Sequence, residues 1–113
     1  MHEISLAGSV IDLIEAAAAR EGFSRVRQVR CEIGELACVE ADALRTAFAA
    51  ASSGSCAAGA QLEIITIAGE GVCPQCRVPV PMPSLYELCP LCGERPLEVR
   101  CGTEMRVKDL VVE

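Results

Sequence analysis

Residues 73–93 read CPQCRVPVPMPSLYELCPLCG, and the architecture of the chain follows from what such a stretch can and cannot do. It holds two Cys-x-x-Cys knuckles, Cys73-Pro-Gln-Cys76 and Cys89-Pro-Leu-Cys92, with twelve residues between them. A two-residue gap lets both thiolates of one knuckle reach the same ion, and a second knuckle a loop away completes a tetrahedron around Zn²⁺. Proline after each first cysteine stiffens the turn, and Gly93 admits an unusual backbone angle just past the last ligand. A thioredoxin-type redox motif is a single copy set between a strand and a helix, which this is not. Four thiolates leave no open coordination position, so a zinc ion held here organises structure and does not activate water.

Moving outward, residues 69–96 contain all six prolines of the 113-residue chain and half of its eight cysteines, with hardly any hydrophobic periodicity. Such a stretch cannot build a hydrophobic core by itself, and metal binding would supply the folding energy it lacks. Periodicity returns on both sides. From Ile4 to about Glu21, Ala7, Val10, Ile11, Ile14, Ala17 and Ala18 recur at helical steps, and Gly22 is a natural stop. Gln28 to Ile33 alternates as a half-buried strand does, and Gly34 ends it. Glu40 to Ala51 predicts a second helix with Leu44, Ala47, Phe48 and Ala51 on one face. The β-branched run Leu62–Ala68 predicts a central strand. Leu97, Val99 and Cys101 alternate with Glu98 and Arg100, and the style continues through 105–108 until Asp109 breaks it. The expected fold is α+β: a small sheet with two helices, made from 1–69 and 97–113, with a zinc-ribbon-like lobe inserted at 70–96.

Charge and termini narrow the function. Sixteen acids against ten bases give a net charge of −6, which opposes a nucleic-acid surface, where clustered Lys and Arg must neutralise phosphates. The start carries Glu3, Asp12 and Glu15 and no base before Arg20. It is expected to be neither a secretory signal nor a membrane span, so the protein reads as cytoplasmic with reduced thiols. In that compartment dense cysteines favour metal over disulfides. Of the other four, Cys31 and Cys101 fall on the apolar phase of strands, while Cys38 and Cys56 sit in loops or helix ends. A nucleophilic cysteine wants a neighbouring histidine, and the one histidine is at position 2. Cys38 as an extra soft ligand is the remaining alternative.

His2 reads either as a solvated terminal residue or as part of a chelate. The free α-amine of Met1, the deprotonated His2 amide and the His2 imidazole form adjoining rings around one ion, an arrangement suited to square-planar Ni²⁺ or Cu²⁺. Glu3 adds a carboxylate within reach of the fourth position. Chemistry alone prefers copper over nickel, following the affinity order.

The residues carry a family resemblance over essentially the whole chain. Met1-His2-Glu3 leads into an amphipathic helix, Gly34-Glu35-Leu36 follows the first strand, and Glu40-Ala41-Asp42-Ala43-Leu44 precedes Phe48. Gly59-Ala60-Gln61-Leu62-Glu63-Ile64, the two knuckles and Gly102-Thr103-Glu104-Met105-Arg106-Val107 complete the set. Together they resemble the HypA/HybF family of hydrogenase maturation proteins. The resemblance implies a nickel metallochaperone, not an enzyme, that serves [NiFe] hydrogenase and in some organisms urease. It implies His2 as principal nickel ligand, supported by Met1 and Glu3, and zinc on Cys73, Cys76, Cys89 and Cys92. Glu40 falls where some members place an acid near the nickel. The implied partners are a nickel-handling GTPase of the HypB type and the precursor of the hydrogenase large subunit, with self-association through an open strand edge left open. This chain lacks the histidines that some relatives carry beside their knuckles, and Ala41 stands where proline is common. The competing function is a zinc-ribbon interaction module whose terminal histidine is incidental. A zinc hydrolase lacks any His/Glu set to activate water.

Overall fold

The computed structural model describes residues 2–113. Its elements run α1 (His2–Glu21), β1 (Val26–Gly34), a short 3-10 turn (Glu35–Ala37), α2 (Ala41–Ser52), β2 (Gln61–Ile67), β3 (Glu70–Val72), β4 (Pro79–Pro81), β5 (Glu98–Cys101) and β6 (Met105–Val112). They fall into two compact units. One gathers the chain up to Glu32 with Val39–Ile65 and Arg106–Glu113; the other gathers Ile33–Cys38 and Thr66–Met105.

In the first unit α1 buries Ala7, Val10, Ile11, Ile14 and Ala17, the stripe that steps of three and four residues produce. It stops where expected, with the Gly22 amide returning to the Ala18 carbonyl at 2.8 Å. Against it packs α2, whose inward residues are Leu44, Phe48 and Ser52. Ala51 was expected on that face and is exposed; Ser52 takes the position, its hydroxyl donating to the Ala49 carbonyl at 3.2 Å.

The larger sheet has the order β2-β1-β6, so the apolar run of β2 forms an edge and not the centre. An unbroken apolar run does not distinguish the two. Burial does: Val26, Val29, Cys31 and Ile33 of β1 are buried, whereas no residue of β2 is more than half-buried. On β1 the intervening residues pair across the sheet. Gln28 donates to Glu63 at 3.0 Å, Arg106 to Glu32 at 2.7 Å, and Arg30 holds Asp109 by two bonds of 2.6 Å each. Asp109 therefore breaks the hydrophobic alternation without ending β6, because its carboxylate has a fixed cation opposite it.

The second unit contains a three-stranded antiparallel sheet, β4-β3-β5, of which the alternation in the sequence marked only β5. Strands β3 and β4 are too short to show a period of two, and prolines flank Val80 on β4, an edge strand, where proline is tolerated. Leu36, Cys73, Val80, Met82, Cys89 and Leu97 form its core. Leu36 reaches that core because the turn after β1 closes onto residues 102–104: the Gly34 amide donates to the Glu104 carbonyl and the Leu36 amide to the Gly102 carbonyl, both at 2.7 Å. A side chain at 34 would overlap the Gly102 carbonyl, so this close approach requires glycine. Besides 70–96 the unit takes in 33–38, 66–69 and 97–105. Within β5 the expected alternation is not realised: Val99 is exposed, and Cys101 is half-buried with its sulfur 3.5 Å from a Glu70 carboxylate oxygen.

Candidate metal centres

The four knuckle sulfurs converge, all within 4.8 Å of one another. Cys73 Sγ lies 3.9 Å from Cys92 Sγ, and Cys89 Sγ 4.0 Å from Cys76 Sγ. Four sulfurs bound at about 2.3 Å to a tetrahedral ion would be separated by about 3.8 Å, so the donor set has the size of a four-thiolate metal site. Cys73 and Cys89 are sealed beneath Met82, Val80, Leu97 and Leu36, while Cys76 and Cys92 are half-buried.

The two knuckles are built alike. In each, the amide of the residue after the second cysteine returns to the carbonyl of the first: Arg77 to Cys73 at 2.8 Å, Gly93 to Cys89 at 2.7 Å. That closure puts the fifth residue in the left-handed region, with φ +69 at Gly93 and φ +59 at Arg77. Glycine adopts it freely, whereas arginine is strained there.

The electrostatics of the cluster suit a cation. Backbone amides of Glu94 and Arg95 turned toward Cys92 hold its thiol down to about 7. Burial, followed by hydrogen bonds from the three neighbouring thiols, pushes Cys76 up to about 12. Thiols this close cannot all ionise together unless a positive charge sits among them. Among the described residues no other group of three or more His, Cys, Asp or Glu side chains converges in this way, and Cys38 is exposed and outside the cluster.

At the start of α1 the imidazole of His2 is 49% exposed, and its Nε2 lies 3.7 Å from Glu3 Oε2. The first amides of a helix have no intrahelical acceptor, so the His2 amide nitrogen is not committed to the helix. Glu3 is 15% exposed and accepts a hydrogen bond from the Glu40 amide at 3.1 Å. That amide first, then Glu3's own, hold its carboxyl below the usual carboxylate range. Glu40 in turn caps α2: its carboxylate accepts from the amides of Asp42 at 3.2 Å and Ala43 at 2.6 Å. Glu3 and Glu40 are thus brought together by a backbone bond, with the Glu40 carboxylate turned to the helix. Met1, also expected at this site, lies outside the described residues.

A family model described as "Hydrogenase/urease nickel incorporation, metallochaperone, hypA" matches residues 1–112. The chain belongs to the HypA family. It is 50% identical over 113 residues to a hydrogenase maturation factor HypA of Dechloromonas aromatica, and 48% identical to one of Albidiferax ferrireducens, covering the whole of both chains in each case. A solution structure of the Ni metallochaperone HypA from Helicobacter pylori superposes with a TM-score of 0.70 at 26% identity, over 97% of this chain and 96% of that one. Another HypA solution structure gives 0.73 at 27% identity, over 100% and 97%. HypA-family proteins are maturation factors for nickel incorporation into hydrogenase, a metallochaperone class and not a known enzyme class. The α+β fold with a zinc-ribbon lobe agrees with these HypA structures, and no helix of the described residues is long and apolar enough to cross a membrane.

The spacing of the knuckles anticipated the four-cysteine cluster, and the angle at Gly93 came from its position. Three contributors carry weaker signals. Arg77 was legible only by aligning CPQC-Arg77 with CPLC-Gly93 and asking what φ both require. Met82, 1% exposed against the cysteines, looks like one more residue of a Pro-rich loop. The Glu94 and Arg95 amides have no side-chain signature at all.

Proposed function

We propose that the protein binds one Ni(II) at its N-terminus, through the Met1 amine and His2 with Glu3 in support, and delivers it during [NiFe] hydrogenase maturation. The observation that carries this reading is the exposed imidazole of His2 at the uncommitted first amide of α1, beside Glu3, in a chain of a nickel-incorporation family. Nickel belongs to the first unit. Zn(II) on Cys73, Cys76, Cys89 and Cys92 belongs to the second, where thiolates from two knuckles close the coordination sphere and leave the ion a structural role. Donor atoms on adjacent residues at a chain end can be replaced one at a time by those of an acceptor, which suits cargo; sulfurs sealed under a core do not. Glu40 contributes by fixing Glu3 through its amide, while its carboxylate caps α2. The corresponding partners are a HypB-type nickel GTPase and the hydrogenase large-subunit precursor, in the cytoplasm.

The test is Ni²⁺ titration of zinc-loaded protein with a native N-terminus. One Ni²⁺ per chain is expected, lost in His2→Ala and in protein carrying extra residues before Met1. Unchanged nickel binding in both variants would overturn the N-terminal site.

A further inference from the structure

Each knuckle contributes one half-buried cysteine and one fully buried one. Cys73 and Cys89 are 0% and 1% exposed, whereas Cys76 and Cys92 are half-buried. Two of the sulfur–sulfur contacts run across the knuckles, Cys92 to Cys73 at 3.9 Å and Cys76 to Cys89 at 4.0 Å, in a cluster whose four sulfurs all lie within 4.8 Å of one another. Each half-buried knuckle cysteine therefore has the sulfur of a buried cysteine of the other knuckle at 4.0 Å or less.

We propose that this arrangement is a peroxide-responsive modification site, in which hydrogen peroxide converts the four thiols into two cross-knuckle disulfides, Cys73–Cys92 and Cys76–Cys89. In each pair the accessible sulfur attacks the peroxide O–O bond, gaining one oxygen as a sulfenic acid while the other oxygen leaves as water. The buried sulfur then attacks the sulfenic sulfur; the S–S bond forms, the S–O bond breaks, and the oxygen leaves as a second water. One peroxide is reduced to two waters for each two thiols oxidised to one disulfide. A dithiol reductant reverses the step by thiol–disulfide exchange.

The consequence depends on which sulfurs join. Disulfides within each Cys-x-x-Cys would leave the two knuckles untied once no thiolate remained to hold a metal. The cross-knuckle pairs link residues 19 and 13 positions apart, one nested in the other, and so tie the same two segments that a metal ties. The lobe gives up its ion and stays closed. This inference rests on the four-sulfur geometry and not on nickel delivery, so a chain that fails to take up nickel leaves it standing.

The experiment treats the full-length, zinc-loaded protein with a small excess of hydrogen peroxide, blocks remaining thiols and digests with trypsin. Cleavage at Arg45, Arg77 and Arg100, with Arg95 protected by Pro96, separates Cys73 and Cys76 on peptide 46–77 from Cys89 and Cys92 on peptide 78–100. Expected are the two peptides covalently joined and separable by dithiothreitol, with fragment ions placing 73 with 92 and 76 with 89. Zinc should appear in solution in step with the linkage, and 66–105 should resist limited proteolysis in the oxidised protein while being cut in reduced, chelator-stripped protein. Separate peptides each lighter by two hydrogens, sulfinic acids without linkage, or bridges to Cys31, Cys38, Cys56 or Cys101 would overturn the proposal, as would oxidised protein as protease-sensitive as the stripped form.

Discussion

The pseudo-equivalence of the two knuckles makes a quantitative prediction about Gly93 and Arg77. Both follow the last cysteine of their knuckle at positive φ, +69 and +59, and both amides close onto the first cysteine's carbonyl at 2.7–2.8 Å. A Cβ at position 93 would meet nothing within 4 Å, so Gly93→Ala introduces no clash and isolates the backbone penalty. That penalty is about 1–2 kcal/mol for an L-residue in the left-handed region. The stiffer unfolded chain offsets about 0.4–1 kcal/mol of this, and the lobe's folding is coupled to metal binding, so the zinc dissociation constant should rise by up to about fifteen-fold. Arg77→Gly removes the same strain but frees the unfolded chain by about 0.4–1 kcal/mol. The net gain lies between about 0 and 1.6 kcal/mol, tightening zinc by up to about fifteen-fold. Competition against a chromophoric chelator at fixed pH reads both constants on the full chain. Gly93→Ala binding zinc more tightly than wild type, or Arg77→Gly binding it more weakly, would refute the account of the knuckle.

Three further outcomes follow from single contacts. Glu40→Ala removes the carboxylate that caps Asp42 and Ala43, which should cost about 1 kcal/mol and lower the thermal midpoint by roughly 4 °C; an unchanged midpoint would show the cap to be idle. Arg30's hydrogen bonds hold the Asp109 carboxyl below its ordinary value, so its contribution is present above the unfolded value of about 3.9 and is lost as pH falls through the lower folded value. The gap in urea midpoint between wild type and Asp109→Asn should be constant from about pH 7 to 5 and shrink as pH falls below about 4; a gap that does not shrink on acidification contradicts the pairing. Burial pushes the Cys31 thiol up to about 11, while Cys38 is exposed, so iodoacetamide at pH 8 should label Cys38 quickly and Cys31 only on unfolding, as peptide mass mapping would report.

What could be read ahead of the structure tracks the length over which a pattern repeats. The twenty residues of α1 repeat their stripe often enough to be unmistakable, and two copies of a four-residue knuckle name their own chemistry. The three-residue strands β3 and β4 repeat nothing; their existence depends on Gly71 facing Val80 on one side and Val99 on the other, which is tertiary information. The edge position of β2 was hidden for a related reason: Ile64, Ile65 and Ile67 describe affinity for a sheet but not the number of neighbours. The role of Glu40 was read as a possible metal contact, and the structure shows its carboxylate engaged by backbone amides. Side-chain identity announces a carboxylate, whereas only geometry says what already occupies it.

The placement of the two candidate centres bears on how one chain could keep one ion and surrender another. Cys73 and Cys89 are fixed from beneath by the core that Leu36, Val80, Met82 and Leu97 make, so withdrawing either sulfur means opening packed apolar surface. His2 is fixed by nothing comparable: its ring is half exposed, and its near neighbour is the carboxylate of Glu3 at 3.7 Å. Glu3 itself is tethered through the Glu40 amide to the start of α2. An acceptor that displaces the imidazole disturbs one rotatable side chain, while one that also claims Glu3 must compete with that charge-assisted backbone hydrogen bond. Release should therefore proceed from the histidine side first. Glu3→Gln, which weakens the tether's charge but keeps its shape, should alter the rate of nickel transfer to a competing chelator more than the stoichiometry of nickel bound.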